Sequence, residues 1–276
     1  PVHEAQAAAD ETATVLLARH EKGKQGEQET SIRRVSVPTA PGSPVFPFAN
    51  RQSSAAEQYR MIRTRLVQNL DPHKLILITS PDSGDGKTTT SINVAAALAM
   101  KNDLNVLILD ADLCDSRIAG VLNIPVSPGL SEVLRGTHSL RDAIVGVEQF
   151  PNLYVLPAGA PAENRTELLD SSRWKTICEA LRSQFEFTMV DSPPINSVAD
   201  YPLIEQICDG VIVVIRQDRT NRVRGEHALK AVPRDKLLGV IMNGVEDWFL
   251  LRNNHFHYYG YYNSYHSKGS EKENPK

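Results

Sequence analysis

The chain has 276 residues, 41% of them apolar and 23% charged, with a formal net charge of -3. That composition suits a globular protein with a sizeable core and excludes a strongly basic nucleic-acid binder. No apolar run approaches the ~20 residues a membrane-crossing helix needs. Cys114, Cys178 and Cys208 are widely separated without ligand-like spacing, which fits a reducing cytoplasmic compartment. The opening stretch places acids ahead of its short apolar run, unlike a signal peptide.

Residues 1–52 read as a weakly ordered segment, because EKGKQGEQETS is polar and VPTAPGSPVFPF is rich in proline. From Ser53 the pattern changes. The serines of SSAAEQYRMIRTRLVQNL can cap a helix, and Tyr59, Ile62 and Leu66 form its apolar stripe. Short apolar runs then alternate with helical stretches: LILIT (75–79), VLILD (106–110), LYVL (153–156), FTMVD (187–191), VIVVI (211–215) and LLGVIM (237–242). Near-continuous apolar strands separated by helices predict an α/β fold, a three-layer sandwich around a mostly parallel sheet. One domain over 53–247 follows, with a polar and aromatic tail over 248–276.

The run LILITSPDSGDGKTTTSINVAAALAM carries the sharpest chemical signal. A buried strand ends at Thr79, a glycine-containing loop follows, and a helix with Ile92, Ala95, Ala96 and Ala99 on one face begins. Gly84 and Gly86 allow backbone N–H groups to turn inward around an anion, and the helix N-terminus adds partial positive charge. This is a P-loop in its strand–loop–helix context, with Ser83, Gly84, Asp85, Gly86, Lys87, Thr88 and Thr89 as nucleotide contacts. Lys87 is placed to reach the β- and γ-phosphates of ATP, and the Thr88 hydroxyl to ligate Mg²⁺.

Three aspartates close strands, where ligands of open α/β sheets bind. Asp110 and Asp112 end VLILDAD and share a direction through their i, i+2 spacing. Asp191 ends FTMVDSPP and reads as the Walker B acid. These residue types suit metal ligation and proton removal from an attacking hydroxyl. Asn243, after the last strand, occupies the position at which related P-loop ATPases read adenine.

Together these residues resemble the bacterial tyrosine kinases (BY-kinases) of capsule and exopolysaccharide assembly, over about residues 53–265. GDGKTT is similar to the family's Walker A, VLILDADL to its A′ motif, VDSPP to its Walker B, and Glu57, Arg60 and Arg63 to its ExxRxxR helix. The stretch YYGYYNSY is similar to its terminal tyrosine cluster, so the resemblance implies that Tyr258, Tyr259, Tyr261, Tyr262 and Tyr265 are autophosphorylation acceptors. Lys87, Asp110 and Asp112 become the catalytic set, with Asp110 the first choice for base and Asp112 for metal ligand, although the sequence does not separate those roles. Thr88, Asp112 and Asp191 would hold Mg²⁺. Glu57, Arg60 and Arg63 would pair with a neighbouring subunit in a homo-oligomer that passes its tail between active sites. A membrane adaptor that activates the kinase, a tyrosine phosphatase and a location at the inner face of the membrane through a partner are also implied.

Two positions depart from the usual motifs: Pro81 stands at the usual first Gly or Ala of the P-loop, which makes it a variant loop, and the A′ motif is altered as well. The A′ motif ordinarily continues as DxDxR, and here Cys114 stands at the arginine position, with Arg117 three residues on. Two other readings use the same P-loop: a regulatory ATPase switch of the partition or division-site type, and a catalytically weak nucleotide-binding scaffold. The first ordinarily carries a second lysine in its loop, where this chain has Asp82.

Overall fold

The computed structural model describes residues 32–39, 43–49, 53–196 and 199–245. All of its helices and strands fall in the compact unit that ends at Asn243. From Gly244 onward only Gly244 and Val245 are described, and neither belongs to an element.

In chain order the elements are β1 (Arg34–Val35), α1 (Ser54–Asn69), β2 (Lys74–Thr79), α2 (Lys87–Ala99), β3 (Val106–Asp110), α3 (Ile118–Leu122), α4 (Leu130–Arg135), α5 (Leu140–Ala143), β4 (Val145–Val147), β5 (Phe150–Leu156), α6 (Arg165–Leu169), α7 (Ser172–Gln184), β6 (Phe187–Asp191), α8 (Asp200–Glu205), β7 (Gly210–Arg216), α9 (Arg222–Ala231) and β8 (Leu237–Asn243). Among the described residues the strands form one sheet in the order β1-β4-β5-β3-β6-β2-β7-β8. Every neighbouring pair is parallel except β4 and β5, which form an antiparallel hairpin.

The strand pleat explains the layers. Leu75 and Leu77 point to one face with Leu107 and Leu109, where α7 contributes Trp174, Ile177 and Leu181. Ile76 and Ile78 point to the other with Val106 and Ile108, against Ile92, Val94 and Leu98 of α2. Side chains two apart share a face, and strands covered on both sides need apolar residues at every position. Each fully buried Leu or Ile contributes about 1.5–3 kcal/mol relative to exposure. The α/β three-layer architecture read from the sequence is therefore the fold.

α2 is more deeply buried than its expected single apolar face. Val94, Ala97 and Leu98 are sealed together with Ile92, Ala95 and Ala96, because α1 packs over its outer side. The Ser53 hydroxyl caps α1 by accepting from the Ala56 amide at 3.3 Å, and Tyr59 and Ile62 lie partly buried against the same core.

Part of the segment expected to be weakly ordered, residues 1–52, takes part in the fold. Arg34 and Val35 pair with Gly146 and Val147, and the Arg34 guanidinium donates to the carbonyls of Val147 and Pro151 at 3.0 and 2.8 Å. Val37, Val45 and Phe46 are buried. Asn93, fully buried on α2, donates to the Pro44 carbonyl at 2.7 Å and accepts from the Phe46 amide at 2.8 Å. Prolines deprive this strap of regular hydrogen bonds, and long-range partners supply them instead.

Candidate functional site

The parallel register brings the ends of β2, β3, β6, β7 and β8 to one edge of the sheet. β6 lies between β2 and β3, so the chain crosses over β6 through α2 and leaves Asp191 beside Asp110 in register. That edge is where ligands of open α/β sheets bind.

The phosphate loop has the backbone its glycines permit. Gly84 and Gly86 have φ of 87° and 98°, in the left-handed region that side chains disfavour. A Cβ on Gly86 would collide with the Asn243 amide nitrogen, which donates to the Asp85 carbonyl at 3.0 Å. β8 thus pins the loop from the side. Asp85 is fully buried, and one of its oxygens accepts from the Asp82 amide at 3.1 Å. Its other oxygen has no hydrogen-bond partner among the described residues. Ser83 and Gly84 are exposed, and Thr89 is half-buried.

Lys87 opens α2 and is buried among carboxylates. Its Nζ lies 3.0 Å from Asp112 Oδ2 and 3.9 Å from Asp191 Oδ2. Burial alone lowers the lysine pKa, but Asp191, Asp112 and Asp110 together outweigh it, and the net direction is upward. The Thr88 hydroxyl donates to Asp191 Oδ2 at 2.7 Å, and the Ser91 hydroxyl lies 3.0 Å from Asp191 Oδ1. Burial, opposed by Lys87 and the two hydroxyls, leaves the Asp191 carboxyl above its ordinary range. Asp110 accepts from the amides of Asp112 and Ile118 at 3.3 and 3.2 Å. Burial first, then the nearby Asp191 charge, push its carboxyl well up. Asp112 Oδ1 accepts from the Asp115 amide at 3.0 Å, which ties the A′ loop to its own aspartate.

The structure therefore brings Lys87, Thr88, Asp110, Asp112 and Asp191 together, with Asn243 on the loop's flank. Glu57 and Arg60 pair with each other at 3.0 Å on the exposed side of α1, while Arg63 lies 3.4 Å from the Ala97 carbonyl of α2. Arg117 is bound to Asp115 through two nitrogens at 3.1 and 2.7 Å, facing solvent. Tyr258, Tyr259, Tyr261, Tyr262 and Tyr265 lie outside the described residues.

Some contributors escaped the sequence reading. Ser91 follows Lys87 by one helical turn, and that spacing is the signal that reveals it. Arg216 and Arg219 reach the carbonyls of Gly84 and Ser83 at 3.3 and 3.4 Å, and Arg224 pairs with Asp82. They come from the run RQDRTNRVR, which starts at the last residue of β7 and continues into α9.

The residues fit a nucleotide and Mg²⁺. The glycine geometry admits a close anion, Lys87 supplies a buried cation, and the oxygen donors are of the hard type Mg²⁺ prefers. Among the described residues no three His, Cys, Asp or Glu side chains form a metal cluster. Mg²⁺ in such sites is held by one or two protein oxygens, phosphates and waters rather than an all-protein cage.

Residues 73–231 match a family model described as an AAA domain. The tyrosine-protein kinase CpsD of Streptococcus agalactiae (serotype III) is 33% identical over 201 residues, covering 71% of this chain and 86% of that protein. The tyrosine-protein kinase YwqD of Bacillus subtilis is 32% identical over 220 residues, covering 78% and 91%. Among solved structures, the chimerical protein CapA2B2 superposes with a TM-score of 0.67 at 28% identity, over 75% of this chain and 91% of that one. Both relatives are matched over most of their own length, and the chain belongs to the bacterial tyrosine-kinase (BY-kinase) family, a protein-tyrosine kinase on a P-loop fold.

Proposed function

We propose that this kinase transfers the γ-phosphoryl group of ATP to tyrosines of its own chain, Tyr258, Tyr259, Tyr261, Tyr262 and Tyr265. Residues 53–247 serve as the kinase domain and 248–276 as the acceptor segment. The observation that carries the reading is the Lys87 ammonium at the head of α2, 3.0 Å from Asp112 and 3.9 Å from Asp191, with Thr88 on that same Asp191. Phosphoryl transfer needs positioning and charge neutralisation more than covalent help from the protein. The loop from Ser83 to Thr89 cradles the phosphates, and Asn243 holds that loop and faces the base. Thr88, Asp112 and Asp191 hold Mg²⁺, which when bound neutralises charge on the phosphate oxygens. The phenol oxygen bonds to the γ-phosphorus, the bond to the β-phosphate oxygen breaks, ADP leaves, and Asp110 takes the phenol proton.

The rest of the reading concerns assembly. Glu57, Arg60 and Arg63 present ion-pairing groups to a second copy, and the acceptor segment of one subunit enters the site of its neighbour. Each phosphotyrosine adds about -1.5 to -2 charge, which opposes reassociation with an acidic chain. A membrane adaptor then supplies activation and a place at the inner membrane face, with a tyrosine phosphatase resetting the tail and polysaccharide export as the regulated process. The name CapA2B2 on the matched chimera and the capsule-type name CpsD support this setting. Among the described residues no helix is long and apolar enough to cross a membrane.

The test is incubation of the purified chain with Mg-ATP and mass-spectrometric mapping of phosphate, beside Lys87→Met and a chain ending before His255. Phosphate on 258–265 that vanishes with Lys87→Met is the expected result. Nucleotide binding without phosphotyrosine, with the membrane adaptor present, would make the protein a switch or scaffold.

A further inference from the structure

Consecutive residues of the phosphate loop are held from outside by side chains of the β7–β8 edge. Arg219 donates to the Ser83 carbonyl at 3.4 Å, Arg216 to the Gly84 carbonyl at 3.3 Å, and Asn243 to the Asp85 carbonyl at 3.0 Å. Just before them, the Asp82 carboxylate pairs with Arg224 of α9. The Arg219 guanidinium also lies against Gly84, where an added Cβ would meet it at 2.6 Å.

The local structure explains why both arginines arrive at this stretch. Arg216 ends β7 and is the register partner of Asn243 on β8. The next residue, Gln217, donates its amide to the Asn243 carbonyl at 3.0 Å. Asp218, with φ 58°, then turns the chain back, a conformation Asp adopts more readily than most residues. The turn closes where the Arg216 amide donates to the Thr220 hydroxyl at 2.7 Å and the Thr220 amide to the Arg216 carbonyl at 3.0 Å. One tight turn thus sends two guanidinium groups to adjacent carbonyls.

The consequence falls on the opposite side of the same peptides. In a planar trans peptide the carbonyl and the N–H point in opposite directions. Tethering the carbonyls of Ser83, Gly84 and Asp85 to the β7–β8 edge turns the N–H groups of Gly84, Asp85 and Gly86 away from it. These are the groups a P-loop offers to phosphate oxygens. Glycine makes that conformation accessible but loses the most freedom on ordering, so the hold must come from elsewhere. Arginines bound to the carbonyl side stand behind the loop, not against the anion.

We propose that Arg216 and Arg219 are positioning residues for the nucleotide, which fix the phosphate loop from its carbonyl side so that it is ordered before ligand arrives. A loop that must order itself on binding loses affinity by that cost. The inference rests on the reading of this loop as the ATP site, and its test keeps the two apart.

Arg216→Met and Arg219→Met retain the apolar stems and remove the donors. The double variant and wild type, as full chains, are compared by calorimetry with Mg-ATP and Mg-ADP, and by ¹⁵N relaxation of the Gly84 and Gly86 amides without nucleotide. Both nucleotides are expected to weaken about tenfold with their ratio kept, because the loop amides serve phosphates common to both. The amide order parameters should fall from about 0.85 to below about 0.6. Lysine at both positions, with one donor for each carbonyl, should recover most of the affinity. Unchanged affinities or unchanged order parameters overturn the proposal. So does a loss confined to ATP, which would put the arginines on the terminal phosphate, or a loss with lysine equal to that with methionine. Wild-type protein that binds neither nucleotide overturns both this proposal and the ATP-site reading. Wild-type protein that binds both but makes no phosphotyrosine sinks the autokinase reading alone, and the variant affinities still judge the two arginines.

Discussion

Gly86→Ala probes the join between the phosphate loop and the last strand. Gly86 has φ 98° and ψ 20°, a conformation that costs an L-residue about 1–2 kcal/mol. The new methyl group also occupies the place of the Asn243 amide nitrogen, so that amide must leave the Asp85 carbonyl it binds at 3.0 Å. Losing the bond costs about 1 kcal/mol. The sum of about 2–3 kcal/mol corresponds to a Tm lowered by roughly 5–10 °C for a fold of this size. Asn243→Ala alone forfeits about 1 kcal/mol. Because Gly86→Ala has already expelled the amide, the double variant should be no less stable than Gly86→Ala. The cycle then shows a coupling of about 1 kcal/mol. Denaturant melts of the four proteins measure it. Additivity to within about 0.5 kcal/mol would show that the two residues do not compete for one space, and the pinning argument would fail.

Two further perturbations test the frame around the site. Glu132 accepts from the amides of Gly129 and Ala160 at 2.8 and 3.0 Å. Burial opposes its charge, but those amides prevail and hold its carboxyl below the usual range. A depressed carboxyl adds stability that is present above the unfolded pKa and lost as pH falls through the folded one. Glu132→Gln should therefore cost about 1–3 kcal/mol near neutrality, shrinking below about pH 4.3; a difference constant from pH 7 to 3 in urea melts would contradict this. Asn93→Ala strands the Pro44 carbonyl and the Phe46 amide and should cost about 2–3 kcal/mol. Hydrogen exchange should rise in residues 34–39 and 43–48 before it rises in β2, and unchanged protection there would show that these residues do not depend on Asn93.

The central strands were legible because burial on both faces leaves an uninterrupted apolar run, as in VLILD and FTMVD. β4 has three residues and β1 two, too short for any period, and β1 exists through partners more than a hundred positions away. The proline-rich strap read as weakly ordered because its hydrogen bonds come from Asn93 and Gln149, not from its neighbours. Within the site, the P-loop was legible since its chemistry is local. The Lys87–Asp112 contact joins residues 25 apart and Thr88–Asp191 residues 103 apart; motif order suggested the grouping, and only the crossover past β6 fixed the geometry. Arg165 and Thr166, which each donate to the buried Asp200 carboxylate at 2.8 Å across more than thirty positions, had no local signature at all.

The position of Asn243 has a consequence for biosynthesis. The amide that pins the phosphate loop lies 158 residues downstream of the carbonyl it binds, on the strand finished last. At about 5–20 residues per second, a ribosome makes the loop roughly 8–30 s before its pin. During that interval a nascent chain carries Lys87 on a loop whose Gly86–Asn243 contact does not yet exist. On the function proposed above, nucleotide affinity would be complete only with the end of β8, and truncated products ending before it should be poor competitors for ATP.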